Sequence, residues 1–324
     1  MRDLAALPKG HLHLHLEGAM RPETLAELAD TYGVEVPPIR GFGSFSAFAG
    51  MYLAACAVLR TPDDLARVAR EVVRDAAEDG AVWVEPAFYP DHHLGLGTSG
   101  EVLDIVREAV LAEGAECGIG VGLMVASDRT VDPAQAEHLA TLAVERADRG
   151  VVAFGLANDE SLWPPGPFAG AFRIARDGGL LSTPHAGELA GPQSVIDALD
   201  LLGAHRIQHG IRAIEDPALL QRLADSGVCL DVCPTSNVLL SVVPSLAQHP
   251  LPALLAAGIR CSVNSDDPLL FGPDLLDEYE ICRTDLGLSD EAIASIARSS
   301  LECSGAPRSL VAQGVTGIAA WLAS

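Results

Sequence analysis

Eight short apolar runs, each followed by a longer stretch, recur along the 324 residues and limit the folds open to this chain. They are "HLHLHL" (11–16), "VWVEPAF" (82–88), "GIGVGLMV" (118–125), "VVAFGLA" (151–157), "LLSTPH" (180–185), "RIQHGI" (206–211), "VCLDVC" (228–233) and "RCSVNS" (260–265). Runs of this length and composition read as strands. Between them lie helical patterns such as "TPDDLARVAREVVRDAAEDG", with Thr61 as N-cap, Pro62 at the first helical position and Gly80 past the end. "SGEVLDIVREAVLAEGAECG" and "DPAQAEHLATLAVERADRG" also close on glycine. Strands this continuously apolar are covered on both faces, so eight such units predict an α/β fold, a closed (β/α)8 TIM barrel. No G-x-G-x-x-G opens a first helix, which disfavours an open doubly wound sheet. Residues 20–60 insert extra helices after strand 1, and residues 287–324 add helices at the C-terminus. No low-complexity linker divides the chain, so 1–324 reads as one domain.

Composition narrows the function. The net charge of −23 opposes nucleic acid or anionic membranes as partners and leaves a small molecule as the expected one. No apolar run reaches the roughly 18 residues that span a bilayer. "MRDLAALPKG" lacks the marks of a signal peptide. Seven scattered cysteines then read as reduced thiols, and the expected location is cytoplasmic. Cys229 and Cys233 of "CLDVC" have no second pair at zinc-ribbon spacing and read as strand-core residues.

Chemistry concentrates at strand ends. Alternation in "GHLHLHLEG" places His11, His13 and His15 on one face of a strand. Imidazoles side by side fill a core poorly, because each needs a polar partner, but they hold a divalent metal well. The first strand ends in His13, His15 and Glu17, and the fifth in "PHAGE", with His185 and Glu188. The sixth ends in "QHG", with His209, and the eighth in "NSDDP", with Asp266 and Asp267. In a parallel barrel these ends form one rim, the rim that carries active sites.

The ordered motifs "HLHLHLEG", "TPDDL", "HAGE", "RIQHGI", "CPTSN" and "SDDPLLF" resemble the adenosine deaminase family of the amidohydrolase superfamily over about residues 8–300. The resemblance implies one zinc ion per chain, held by His13, His15, His185 and Asp266, with a position left for water. It implies Glu188 and His209 as catalytic residues, and Glu17, Asn158, Gly187 and Asp267 as substrate-binding ones. Zinc lowers the pKa of water to about 7. Glu188, protonated, would donate to N1 of an adenine ring as its C6 is attacked. His209 and Asp266 would orient the water and accept its proton, Asp267 would meet N7, and ammonia would leave. The fourth strand ends "FGLANDE", without the lysine that bridges paired metals in other amidohydrolases, and the one lysine, Lys9, precedes the first strand; a single metal is expected.

Two departures bear on the substrate. Glu17 stands where adenosine-specific members usually carry aspartate near the ribose 5′ end. Gly155 and Asn158 replace an aspartate and a glycine of the fourth-strand motif. "GLANDE" with "HLEG" is similar to actinobacterial members that act on 5′-modified adenosines such as aminodeoxyfutalosine. The expected activity is therefore hydrolytic deamination of adenosine or a 5′-modified adenosine. The alternatives are an adenine (free base) deaminase and a non-catalytic zinc- or purine-binding barrel. "SFSAFAGMYLAACAVL" (44–59) reads either as an apolar lid carrying Phe45, Phe48, Met51 and Leu53, or as ordinary helix packing.

Overall fold

A computed structural model describes residues 2–36, 42 and 45–324. Its strands are β1 (Lys9–His15), β2 (Ala81–Phe88), β3 (Gly120–Val121), β4 (Leu123–Asp128), β5 (Val151–Ala157), β6 (Leu181–Ala186), β7 (Arg206–His209), β8 (Cys229–Val232) and β9 (Arg260–Val263). All pair in parallel, in the order β1-β2-β4-β5-β6-β7-β8-β9, with β3 also on β2. The run 118–125 thus forms one barrel position in two pieces. Closure between the last and first strands rests on few bonds. Asn264 Oδ1 accepts from the backbone N–H groups of Leu12 (2.7 Å) and His13 (3.1 Å). The Asp266 backbone exchanges bonds with His13 and His15, at 3.1 and 2.9 Å.

Helix signals land where the sequence puts them. Thr61 and Asp64 form a capping box at the start of the helix Pro62–Glu78. Thr98 and Glu101 do the same for Ser99–Cys117, which ends on the left-handed Gly118. The extra helices after β1 are Pro22–Tyr32 and Phe45–Cys56, and the C-terminal ones are Asp290–Glu302 and Arg308–Ala323. Among the described residues, no helix is long and apolar enough to cross a membrane. The seven cysteines are free.

One expectation fails at β1. Strict alternation would put His11, His13 and His15 on one face, but the register slips between His11 and Leu14, which span three residues against two on β2. This bulge turns His13 and His15 toward the barrel centre. His11 instead lines an outer cavity of about 290 Å³ with Leu14, Val72 and Ala76, and its Nε2 accepts from Ser265. Asn264 Oδ1, bonded to two successive N–H groups, stabilises the irregular turn of chain.

Charge is buried below the rim. Arg206 on β7 donates to Glu85 on β2 (2.6 Å) and Asp231 on β8 (2.8 Å), all three with fully buried side chains. Trp83 Nε1 and the Gly305 N–H bond the other oxygen of Glu85, and Ser262 Oγ bonds that of Asp231. Each carboxylate oxygen has at least one donor, which makes such a network tolerable in a core. Replacing Arg206 with Met would strand two buried carboxylates. Urea denaturation should show a loss of about 3–5 kcal/mol, the usual cost of removing one partner from a buried ion pair.

Candidate active site

The C-terminal rim encloses a cavity of about 380 Å³. His15, His185, Glu188, His209, Asp266 and Asp267 reach its wall, although they come from β1, β6, β7 and the segment after β9. Backbone strain marks the site. Of the four non-glycine residues with positive φ among those described, Asn158 (81°), His209 (64°) and Asp266 (62°) all belong to it. Asparagine tolerates the left-handed region better than most residues, which is how Asn158 can stand where the resemblance expects glycine.

His13, His15, His185 and Asp266 offer ligand atoms all within 4.8 Å of one another. His13 Nδ1–H donates to the Asp231 carbonyl and His185 Nδ1–H to the Leu156 carbonyl, each at 3.0 Å. In the neutral imidazoles Nε2 is then a bare lone pair on both rings, and the two Nε2 atoms lie 3.2 Å apart. Two acceptors at that separation repel unless positive charge sits between them. Burial opposes protonation of His13 and His15, yet the nearby Asp266 and Asp267 carboxylates raise their pKa values above the ordinary imidazole value. The cluster favours a cation at its centre. Three imidazoles and a carboxylate suit a divalent transition metal, so the donor set fits. Lys9, at the opposite end of β1, donates to the Leu4 and Leu7 carbonyls and cannot bridge a second ion here.

Glu188 is 5% exposed, and its Oε1 has no hydrogen-bond partner. Burial, with Asp266 and Glu160 nearby, pushes its carboxyl well above the usual range and favours the protonated form. Sequence reasoning missed what holds it. Glu160 accepts from the N–H groups of Gly187 (2.9 Å), Glu188 (2.5 Å) and Ala190 (2.9 Å) and from Ser194 Oγ (2.5 Å). Gly187 therefore shapes the loop: its φ is +68°, a Cβ would lie 2.4 Å from Val195 Cγ2, and its N–H is already engaged. Asp267 lines the cavity, where burial raises its carboxyl pKa. It fits because Gly18 has no Cβ, which would lie 1.7 Å from Asp267 Oδ1.

Glu17 is fully buried and absent from the cavity wall. His93 Nε2 bonds its Oε1 and Tyr52 Oη its Oε2, both at 2.8 Å, so Tyr52 is the group presented to the cavity. Residues 45–56 of the segment read as a lid or as helix packing form the helix Phe45–Cys56. Phe45, Phe48 and Leu53 line the cavity, while Met51 does not, and Ser44 lies outside the described residues. Cys233, read as a core residue, is buried with its Sγ 3.4 Å from His13 Nδ1.

The chain is similar to known proteins over nearly its whole length. The sequence model described as adenosine deaminase matches residues 8–313. A Streptomyces virginiae protein named adenosine/adenine deaminase is 45% identical, over 99% of this chain and 98% of its own. The crystal structure of adenine deaminase from Arthrobacter aurescens superposes with a TM-score of 0.92 at 32% identity, covering 98% of this chain and all of that one. A Burkholderia ambifaria amidohydrolase with bound Zn superposes at 0.86 and 25% identity, over 99% and 94% of the two chains. His185→Ala removes one of the facing nitrogens, so elemental analysis of the purified variant should find the divalent metal lost along with turnover. Full occupancy would contradict the ligand set.

Proposed function

This chain belongs to the adenosine deaminase family of hydrolases acting on C–N bonds, and from that premise we propose that it is a zinc enzyme that replaces the 6-amino group of free adenine by oxygen. The observation that carries the reading is Glu188: a buried carboxyl with an unpartnered oxygen, on the wall of the rim cavity beside a metal-binding cluster, where burial favours its protonated form. A protein that merely held metal or bound a purine would not require it. His13, His15, His185 and Asp266 would hold the zinc ion, which would supply a water with a pKa lowered to about 7. Attack at C6 builds charge on N1, and the Glu188 proton delivered to N1 neutralises it. Asp266 and His209 face the attacking side, and Asp267 meets N7. Asp266 would accept one water proton and pass it to the amino group, which leaves as ammonia, and the proton of the new C6 hydroxyl would return to Glu188, restoring the acid and leaving the 6-oxo purine.

The choice of free base rests on Glu17. Fully buried, off the cavity wall and held by His93 and Tyr52, it does not reach the space a ribose 5′-hydroxyl would occupy. The Arthrobacter structure bears the name adenine deaminase, in accord with this reading. A 5′-modified adenosine is the second reading. The cavity volume favours it, since 380 Å³ exceeds what a purine base fills, and Phe45, Phe48, Leu53 and Leu240 give the remaining wall an apolar surface.

Two measurements decide. Glu188→Gln should keep its metal while kcat falls by about two orders of magnitude or more, the span of a lost general acid; near wild-type turnover would remove Glu188 from the reaction. In parallel, kcat/KM for adenine, adenosine, 5′-deoxyadenosine, methylthioadenosine and aminodeoxyfutalosine should be highest for adenine. A lead for one of the three 5′-altered nucleosides would establish the second reading. A preference for adenosine over all the others by about a hundredfold would show that Glu17 does serve a 5′-hydroxyl.

A further inference from the structure

Two buried side chains outside the cavity wall, Asn237 and His249, lie in a single file that ends on His209. Asn237 sits on the short helix Pro234–Leu239 after β8, and His249 lies just before the helix Leu251–Ala256. Asn237 is fully buried and His249 is 5% exposed.

The direction of every bond in the file follows from its far end. The Leu251 backbone N–H can only donate, and it meets His249 Nδ1 at 3.1 Å. That nitrogen must therefore be bare. Burial lowers the His249 pKa to about 4, so the ring is neutral and its one proton is on Nε2. His249 Nε2–H then donates to Asn237 Oδ1 at 3.2 Å. This fixes the amide, whose two ends are otherwise interchangeable. Asn237 Nδ2–H consequently points at His209 Nδ1, 3.1 Å away.

We propose that Asn237 and His249 are positioning residues that lock His209 in the tautomer with a bare Nδ1 and a protonated Nε2. His209 Nε2 faces Glu188 Oε1 at 3.4 Å and Asp266 Oδ2 at 3.8 Å. In this tautomer it presents a donor to the reacting centre and cannot act as a base at Nε2. The two roles that the sequence assigned jointly then separate: His209 orients by donating, and proton acceptance falls to the Asp266 carboxylate. Ser236, next to Asn237 on the same short helix, donates to Asp266 Oδ2 at 2.6 Å, so one helix sets both groups. The link from tautomer to turnover rests on the deaminase reading, but the tautomer itself does not.

The test is side-chain nitrogen NMR of the zinc-loaded protein labelled in histidine, where chemical shifts separate bare from protonated ring nitrogens. Wild type should show Nδ1 bare and Nε2 protonated on both His209 and His249. Asn237→Asp keeps the shape but replaces the donor with a carboxylate, so His209 should switch to the Nδ1–H tautomer. With metal content and KM held, kcat should fall about tenfold or more, as for an active-site histidine held in the wrong tautomer. His249→Gln still offers an N–H to Asn237 Oδ1 and should keep the His209 tautomer and kcat within about threefold of wild type, whereas His249→Leu should lose both. A wild-type His209 with Nδ1 protonated overturns the proposal without touching the deaminase reading, which turnover on purines tests separately. So does a switched tautomer with unchanged kcat.

Discussion

Two imidazole nitrogens 3.2 Å apart, each with its ring N–H already given to a backbone carbonyl, set the terms for the upper half of this barrel. His13 and His185 come from β1 and β6, across the barrel from each other. Nothing in apolar packing would bring two lone pairs together in a buried space. A positive charge between them would, and Asp266 and His15 would complete its surroundings. The carbonyls that fix the two rings belong to Leu156 on β5 and Asp231 on β8, so strand register determines ring orientation.

The layers beneath hold this arrangement in place. Asp231, whose carbonyl orients His13, also carries one carboxylate of the Arg206 network, which ties β2, β7 and β8 together. Asn264 closes the barrel at the bulge that turns His13 inward. Around the rim, buried polar side chains each fix one of the groups proposed to react. Glu160 fixes the loop that carries Glu188, Ser236 fixes Asp266, and Asn237 fixes His209. The left-handed backbone at Asn158, His209 and Asp266 costs of order 1–3 kcal/mol per residue, and it persists because these bonds over-determine it.

The sequence carried the strands, the main capped helices and the residues of the rim, because those depend on local pattern and on the rule that parallel strands end together. His13, His15, His185, Glu188, His209 and Asp266 converge as their strand positions require. What it did not carry are features set by distant contacts. The bulge that diverts His11 breaks a regular His–Leu alternation, and Gly10 before it and Pro86 opposite Leu14 mark it only once the two strands are paired. Glu17 reads as a substrate contact until Tyr52 and His93 are seen on its two oxygens, and both lie far along the chain. Asn237 stands within "CPTSN", a motif visible at once, but its role needs His249 and His209 as neighbours. Glu160 closes "GLANDE", where position alone does not reveal that it caps the loop after β6.

The central claim is that one ion sits where the facing nitrogens meet. X-ray absorption at the zinc edge of the loaded protein tests it directly. The expected spectrum has a first shell of nitrogen and oxygen only, at about 2.0–2.2 Å, with the outer-shell signature of three imidazoles and one zinc per chain. Buried Cys233 close to His13, and Cys56 beside His92, give the contrary result a specific form. A sulfur scatterer near about 2.3 Å, or a second metal at about 3.5–4 Å, would place the ion elsewhere and contradict it.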